Sequence, residues 1–161
     1  MTPDLLIQNA LAPALKLLPA KMDSRAARAE LIAIGLQESR LEHRVQVGGP
    51  AHSYFQMELG GGVRGVLTHP ASKPHIQSAL AALDYDPESD PAACYEAITH
   101  NDILACCFAR LLLWTLPGAL PAQTAPGSGW SQYLAAWRPG KPHPGVWPVN
   151  FEAAWDLVML A

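Results

Sequence analysis

The stretch Ala29-Glu30-Leu31-Ile32-Ala33-Ile34-Gly35-Leu36 is apolar nearly all round when drawn as a helix, so the helix that contains it must be covered on every side. A cap at Asp23 or Ser24 starts this helix and the run carries it to Glu38. Leu31, Ile34, Gly35 and Glu38 fall at i, i+3, i+4 and i+7, which lines a carboxylate up with core-facing residues. A carboxylate held against apolar neighbours loses solvation in its charged form and its pKa rises, as a general acid working near neutral pH requires. The other reading of Glu38 is a helix-end residue turned to solvent.

The remainder reads as helices separated by Pro- and Gly-rich joints. Thr2-Pro3 opens a first helix that ends near Pro19, with a kink or break at Pro13. Residues 53 to 58, between Gly48-Gly49 and Gly60-Gly61-Gly62, form a short strand or extended arm. Short helices come next over Val63 to Leu67, Pro74 to Leu83 and Pro91 to Thr99. Asn101 or Thr99 caps a longer one with Ile103, Leu104, Cys107, Phe108, Leu111 and Leu112 inward. Pro117 to Gly129 is a loop, Trp130 to Trp137 a short helix, Arg138 to Gly145 a turn-rich arm, and Asn150 caps the last helix. Ala and Leu dominate and β-branched residues are few, so the expected class is all-α, with at most the short β arm. A chain of 161 residues supports one domain, 1–161, with one core.

Charge and motif content exclude several classes. A net charge of −3 gives no global field for nucleic acid or an anionic membrane. Cys94, Cys106 and Cys107 lack metal-ligand spacing, and Cys106 and Cys107 read as small apolar fillers. His43, His52, His69 and His75 crowd one part of the chain without the i, i+4 spacing of a zinc helix, so neither metal nor cofactor is expected. Gly60-Gly61-Gly62 lacks the Lys-Ser/Thr of a phosphate loop, and no Gly-x-Ser-x-Gly occurs. No secretory leader or membrane-length apolar run is visible, so synthesis in the cytoplasm without membrane insertion is expected.

The residues after Glu38 are more informative. Leu36-Gln37-Glu38-Ser39 leads through a polar connection to Gly48-Gly49 and then Tyr54-Phe55-Gln56-Met57. This order resembles the lysozyme-like superfamily, closest to its lytic transglycosylase and goose-type lysozyme branch, which reads Gln-Glu-Ser and then Gly-Leu-Met-Gln. Asn101 to Leu111 resembles that branch's helix of Asn, small residues, an aromatic and Leu near the cleft floor. Tyr133-Leu134-Ala135-Ala136-Trp137-Arg138-Pro139-Gly140 parallels its Ala-Ala-Tyr-Asn-Ala-Gly segment, with Trp137 and Arg138 where Tyr and Asn would stand. The likeness spans roughly residues 24 to 142, and the chain as a whole looks most like phage or prophage members.

The resemblance implies a lysozyme-like fold with a buried central helix bearing the catalytic Glu, and cleavage of the MurNAc–GlcNAc bond of bacterial peptidoglycan. It implies action on the wall after holin-type release or as part of a virion. Glu38 is then the acid, and Ser39 holds its carboxyl. Gln56 has both donor and acceptor for sugar amides. Tyr54 and Glu58 share its side of an extended arm, with Glu58 the leading second carboxylate. Asn101 lies near the floor; Trp137, or Tyr133 one turn before it, stacks on sugar; Arg138 or Lys141 meets stem-peptide carboxylates. Two rivals remain: a non-enzymatic virion or adaptor protein with a lysozyme-like core, in which Glu38 points outward or pairs with Arg40 or Arg44, and a chitinase-like glycosidase.

Overall fold

A computed structural model describes residues 1–161. The Thr2 hydroxyl accepts from the Leu5 N–H, and Pro3 occupies the first helical position, where its missing N–H costs nothing. This first helix, α1 (Pro3–Leu6), passes through a wide π turn, Ile7–Leu11, into α2 (Ala12–Lys16). The disturbance expected at Pro13 takes the form of that turn. Ala12 N–H reaches back to Ile7 O, which widens the backbone ladder just ahead of a residue that has no N–H to add to it.

The central helix is α3 (Arg25–Ser39). Ser24 caps it, its Oγ accepting from Ala27 N–H at 3.1 Å, while Asp23 forms a two-pronged pair with Arg28 at 2.7 and 2.8 Å. Leu31, Ile32, Ala33 and Ile34 are wholly buried. Burial of a large aliphatic side chain contributes about 1.5–3 kcal/mol. Arg40 and Leu41 then adopt left-handed backbone, φ 53° and 60°, and fold Leu41 back over the helix. A Cβ on Gly35 would stand 2.8 Å from Leu41 Cδ2, so this close return needs glycine in mid-helix.

Beyond the arm lie α4 (Arg64–Thr68), α5 (Lys73–Ala82), α6 (Pro91–His100), α7 (Asp102–Trp114), α8 (Pro126–Trp137) and α9 (Trp147–Leu160). Prolines in the first turns of α5, α6, α8 and α9 set where each begins. The helix α8 therefore starts at Pro126, inside the segment expected to be loop. Likewise α9 starts at Trp147, so Asn150 lies within it and caps nothing. The fold is all-α. Its core is one cluster of 38 buried residues, in which α3 packs chiefly on α9 and α7 is buried from Leu104 to Leu113. No helix is long and apolar enough to cross a membrane.

No strand forms at residues 53 to 58. Two isolated antiparallel bridges, Val45 with His52 and His52 with Met57, are all the β pairing present. Ser53 and Gln56 have φ of 68° and 50°, and Gln56 N–H bonds back to Ser53 O at 3.0 Å. Left-handed residues at both ends make this a tight turn and end the alternation of an extended arm.

One residue of α3 breaks the rule that buried polar atoms are paired. Glu30 is 0% exposed and neither carboxyl oxygen has a partner. It faces α8, where a Cβ on Gly129 would come within 2.8 Å of Glu30 Oε2 and of Phe151 Cε2. Burial pushes the Glu30 carboxyl up to about 8 from an ordinary 4.5, so the folded state holds a proton that the unfolded state releases. Stability from this group is complete below about pH 4.5 and is lost as pH rises to about 8, by at most about 1.4 kcal/mol per pH unit. Glu30→Gln should flatten that slope. Urea unfolding at about pH 5 and about pH 8, values that span most of that window, should show a smaller loss for the variant; parallel losses would mean that Glu30 does not titrate there.

Candidate active site

Glu38 lies in the last turn of α3, half-buried, and faces a cleft of about 500 Å³. Opposite are the glycine-rich turn before α4, the end of α8 and the segment after it, which bring Glu58, Tyr133, Trp137, Arg138 and Lys141 to the same cavity. Near the C-terminus of a helix, carbonyl dipoles also disfavour an added negative charge.

The Tyr133 hydroxyl donates to Glu38 Oε1. Tyr133 is 3% exposed and packed among indoles, stacked on Trp147 at 5.5 Å and flanked by Trp130 and Trp137. Burial first, then the neighbouring Glu38 charge, push its own pKa upward, so it stays a donor at neutral pH. Desolvation raises the Glu38 carboxyl to about 7; the Tyr133 hydrogen bond pulls it down and the Glu58 charge pushes it up. Near neutral pH Glu38 is therefore present both as acid and as carboxylate. That is the range in which one group can give a proton and take one back.

The arm is fixed by side chains bonding to backbone. Ser39 Oγ donates to Tyr54 O at 2.6 Å and Trp137 Nε1 to Phe55 O at 2.7 Å. His52 stacks on Tyr95 at 3.7 Å, and Tyr95 OH donates to Pro50 O. A Cβ on Gly62 would meet Met57 Cε at 2.9 Å and Leu112 Cδ2 at 3.0 Å, which is why glycine stands there on the cleft wall.

Of the residues expected at the site, Glu38, Gln56, Glu58, Tyr133, Trp137 and Arg138 meet at this cleft. Gln56 spends its amide N–H₂ on Ser53 O and His43 O at 2.7 and 3.4 Å, leaving its carbonyl for a ligand. Glu58 is exposed and makes no ion pair, and Arg138 and Lys141 are also unpaired. Three expected residues lie elsewhere. Ser39 makes no bond to Glu38; its hydroxyl binds Tyr54 O and Gly35 O and accepts from Leu41 N–H, so it fastens the arm to α3. Tyr54 is 5% exposed beneath the Arg44 guanidinium at 4.7 Å, because the turn at residues 53 to 56 sends it into the core. Asn101 caps α7 through Leu104 N–H and reaches Tyr85, away from the cleft. Asp102, the acid at the start of α7, pairs with Arg44 at 2.8 Å and is not free to act beside Glu38. Neither Arg40 nor Arg44 pairs with Glu38.

Gln37 was not expected here. Its Nε2 donates to His143 O at 2.8 Å and its Oε1 accepts from Asn150 Nδ2 at 2.9 Å, so it moors the segment carrying Arg138 and Lys141 beside Glu38. Its sequence signal was its place in Gln37-Glu38-Ser39, where no role was assigned to it.

Comparison with known proteins gives no match: no family model, no curated protein and no solved structure matches the chain. The reading of the cleft rests on its own residues.

The balance at Glu38 has opposed, testable signs. Tyr133→Phe removes the donor that favours the carboxylate and should raise the Glu38 pKa; Glu58→Gln removes a like charge and should lower it. Carboxyl ¹³C NMR titration reads both. Shifts in one direction for the two variants would show that the neighbours act otherwise.

Proposed function

We propose that this chain is a lysozyme-like enzyme that cleaves the glycan strand of bacterial peptidoglycan, with Glu38 as general acid and then base. The observation that carries the reading is a half-buried carboxyl, raised to about 7 and held by the Tyr133 hydroxyl, facing an open cleft. Breaking a glycosidic bond needs a proton on the leaving oxygen as positive charge grows on the sugar. Protonated Glu38 supplies that proton, and Tyr133 keeps the carboxyl in one orientation. Trp137, half-buried on the cleft wall with its indole N–H tied to Phe55 O, offers a fixed face for a sugar ring. The free carbonyl of Gln56 accepts from a sugar amide or hydroxyl.

In the transglycosylase form, Glu38 gives its proton to the glycosidic oxygen. The C6 hydroxyl of the same N-acetylmuramic acid then bonds to C1 and returns its proton to Glu38. The product is a 1,6-anhydro end, and no water is consumed. A second reading arises from Glu58, an unpaired carboxylate in the same cleft: it activates water or stabilises the sugar cation, and the product is an ordinary reducing end. Glu38, with its carboxyl at about 7, can serve in turn as acid and base, which supports the first.

Glu38→Gln keeps the shape and removes the proton, so turbidity clearing of purified walls should fall at least about 100-fold with unchanged circular dichroism. Clearing at the wild-type rate by the folded variant would refute the assignment. Mass spectrometry of the wild-type digest should find anhydro ends; reducing ends carrying one added water would move the role of second acid to Glu58. The same assay on chitin separates the chitinase-like alternative.

A further inference from the structure

The other end of α3 faces a second cavity, of about 450 Å³. Its Ser24 lies fourteen residues before Glu38, about 21 Å along the helix at roughly 1.5 Å per residue. We propose that this cavity binds a small organic carboxylate with an apolar body. Arg110 is the main reason. It is only 3% exposed, its Nε donates to Met22 O at 2.8 Å, and its Nη groups have no acceptor in the protein while the side chain lines the cavity. Burial lowers its pKa to about 10, so it remains charged at neutral pH. The nearby Asp23 is no substitute counter-ion, because both its oxygens are taken by Arg28 at 2.7 and 2.8 Å. The two Nη groups open on the cavity with no protein acceptor, a fork that a carboxylate can meet in two-pronged fashion.

A second, independent feature points to the same charge. Ser24 and Ala26 line the cavity, and the Ala26 N–H, in the first turn of the fifteen-residue α3, has no partner. Lys21 adds another cation, its Nζ 5.3 Å from the Trp114 ring centroid, with Arg110 Cζ at 5.5 Å from that ring. The remaining wall is apolar, with Trp114, Leu116 and Leu120. A bare inorganic anion would satisfy the cations and leave that wall against water; an acid with a short hydrocarbon or peptide body covers both.

The test is titration of the full chain, with no peptidoglycan present, while following the Trp114 indole N–H by ¹H–¹⁵N NMR. Hexanoate represents a free acid, N-acetyl-alanyl-alanine a peptide C-terminus, and hexanamide the uncharged control. A saturable Trp114 shift with either carboxylate and none with hexanamide is expected, and the one that binds tighter identifies the source. Lys21→Glu, at an exposed position, should weaken binding at least about tenfold, and Arg110→Met should abolish it. If Arg110→Met does not fold, Lys21→Glu decides. Absence of saturation with both acids, equal shifts with hexanamide, tighter binding of inorganic phosphate than of either acid, or unchanged affinity in Lys21→Glu would each overturn the proposal. None of these outcomes bears on the Glu38 cleft.

Discussion

A helix that is apolar on every face has no side to give to water, and the placement of the other elements comes from covering α3. Its partner α9 takes the longest contact, α7 and α8 close other sides, and Leu41 folds back over Gly35 at its end. Cover stops at the last turn. Glu38 stands where burial gives way to an open cleft, desolvated enough for its proton to be held and open enough for a ligand to reach it. The site is the place where the packing of the central helix runs out.

The two carboxyls of α3 show how environment divides identical chemistry. Glu30 is sealed among Gly129, Phe151 and Trp147 with no partner, and its pKa is pushed to about 8 by desolvation alone. At Glu38 desolvation is opposed by the Tyr133 hydroxyl and reinforced by the Glu58 charge, and the carboxyl comes to about 7. The first has no access to any ligand and only costs stability when it ionises. The second can exchange its proton with whatever occupies the cleft.

Much of this was legible in the sequence, for local reasons. Periodicity marked α3 and put Glu38 on its core-facing line; prolines marked the starts of α5 and α6; helical spacing put Tyr133 and Trp137 one turn apart, facing the same cleft. What could not be read was set by contacts between residues distant in the chain or by backbone that residue type does not announce. Ser53 and Gln56 take left-handed φ without being glycine, which turned an expected extended arm into a tight turn and sent Tyr54 inward. Ser39 and Asn101 were expected to serve the ligand, yet both satisfy nearby backbone, Ser39 in the arm and Asn101 at the start of α7. Gln37 gains its role from His143 and Asn150, more than a hundred residues away. Glu30 sat inside the very run that identified α3, where the apolar pattern around it concealed how unusual a buried, unpartnered carboxyl is.

The most direct measurement is the pH dependence of wild-type cleavage of purified peptidoglycan below substrate saturation, set beside the NMR titration of Glu38. In the proposed reaction cleavage begins with protonated Glu38, so the rate should fall on the alkaline side with an apparent pKa matching that carboxyl, about 7. A rate that holds level well above that pH, or falls at a pH that Glu38 does not share, would contradict its role as the proton donor.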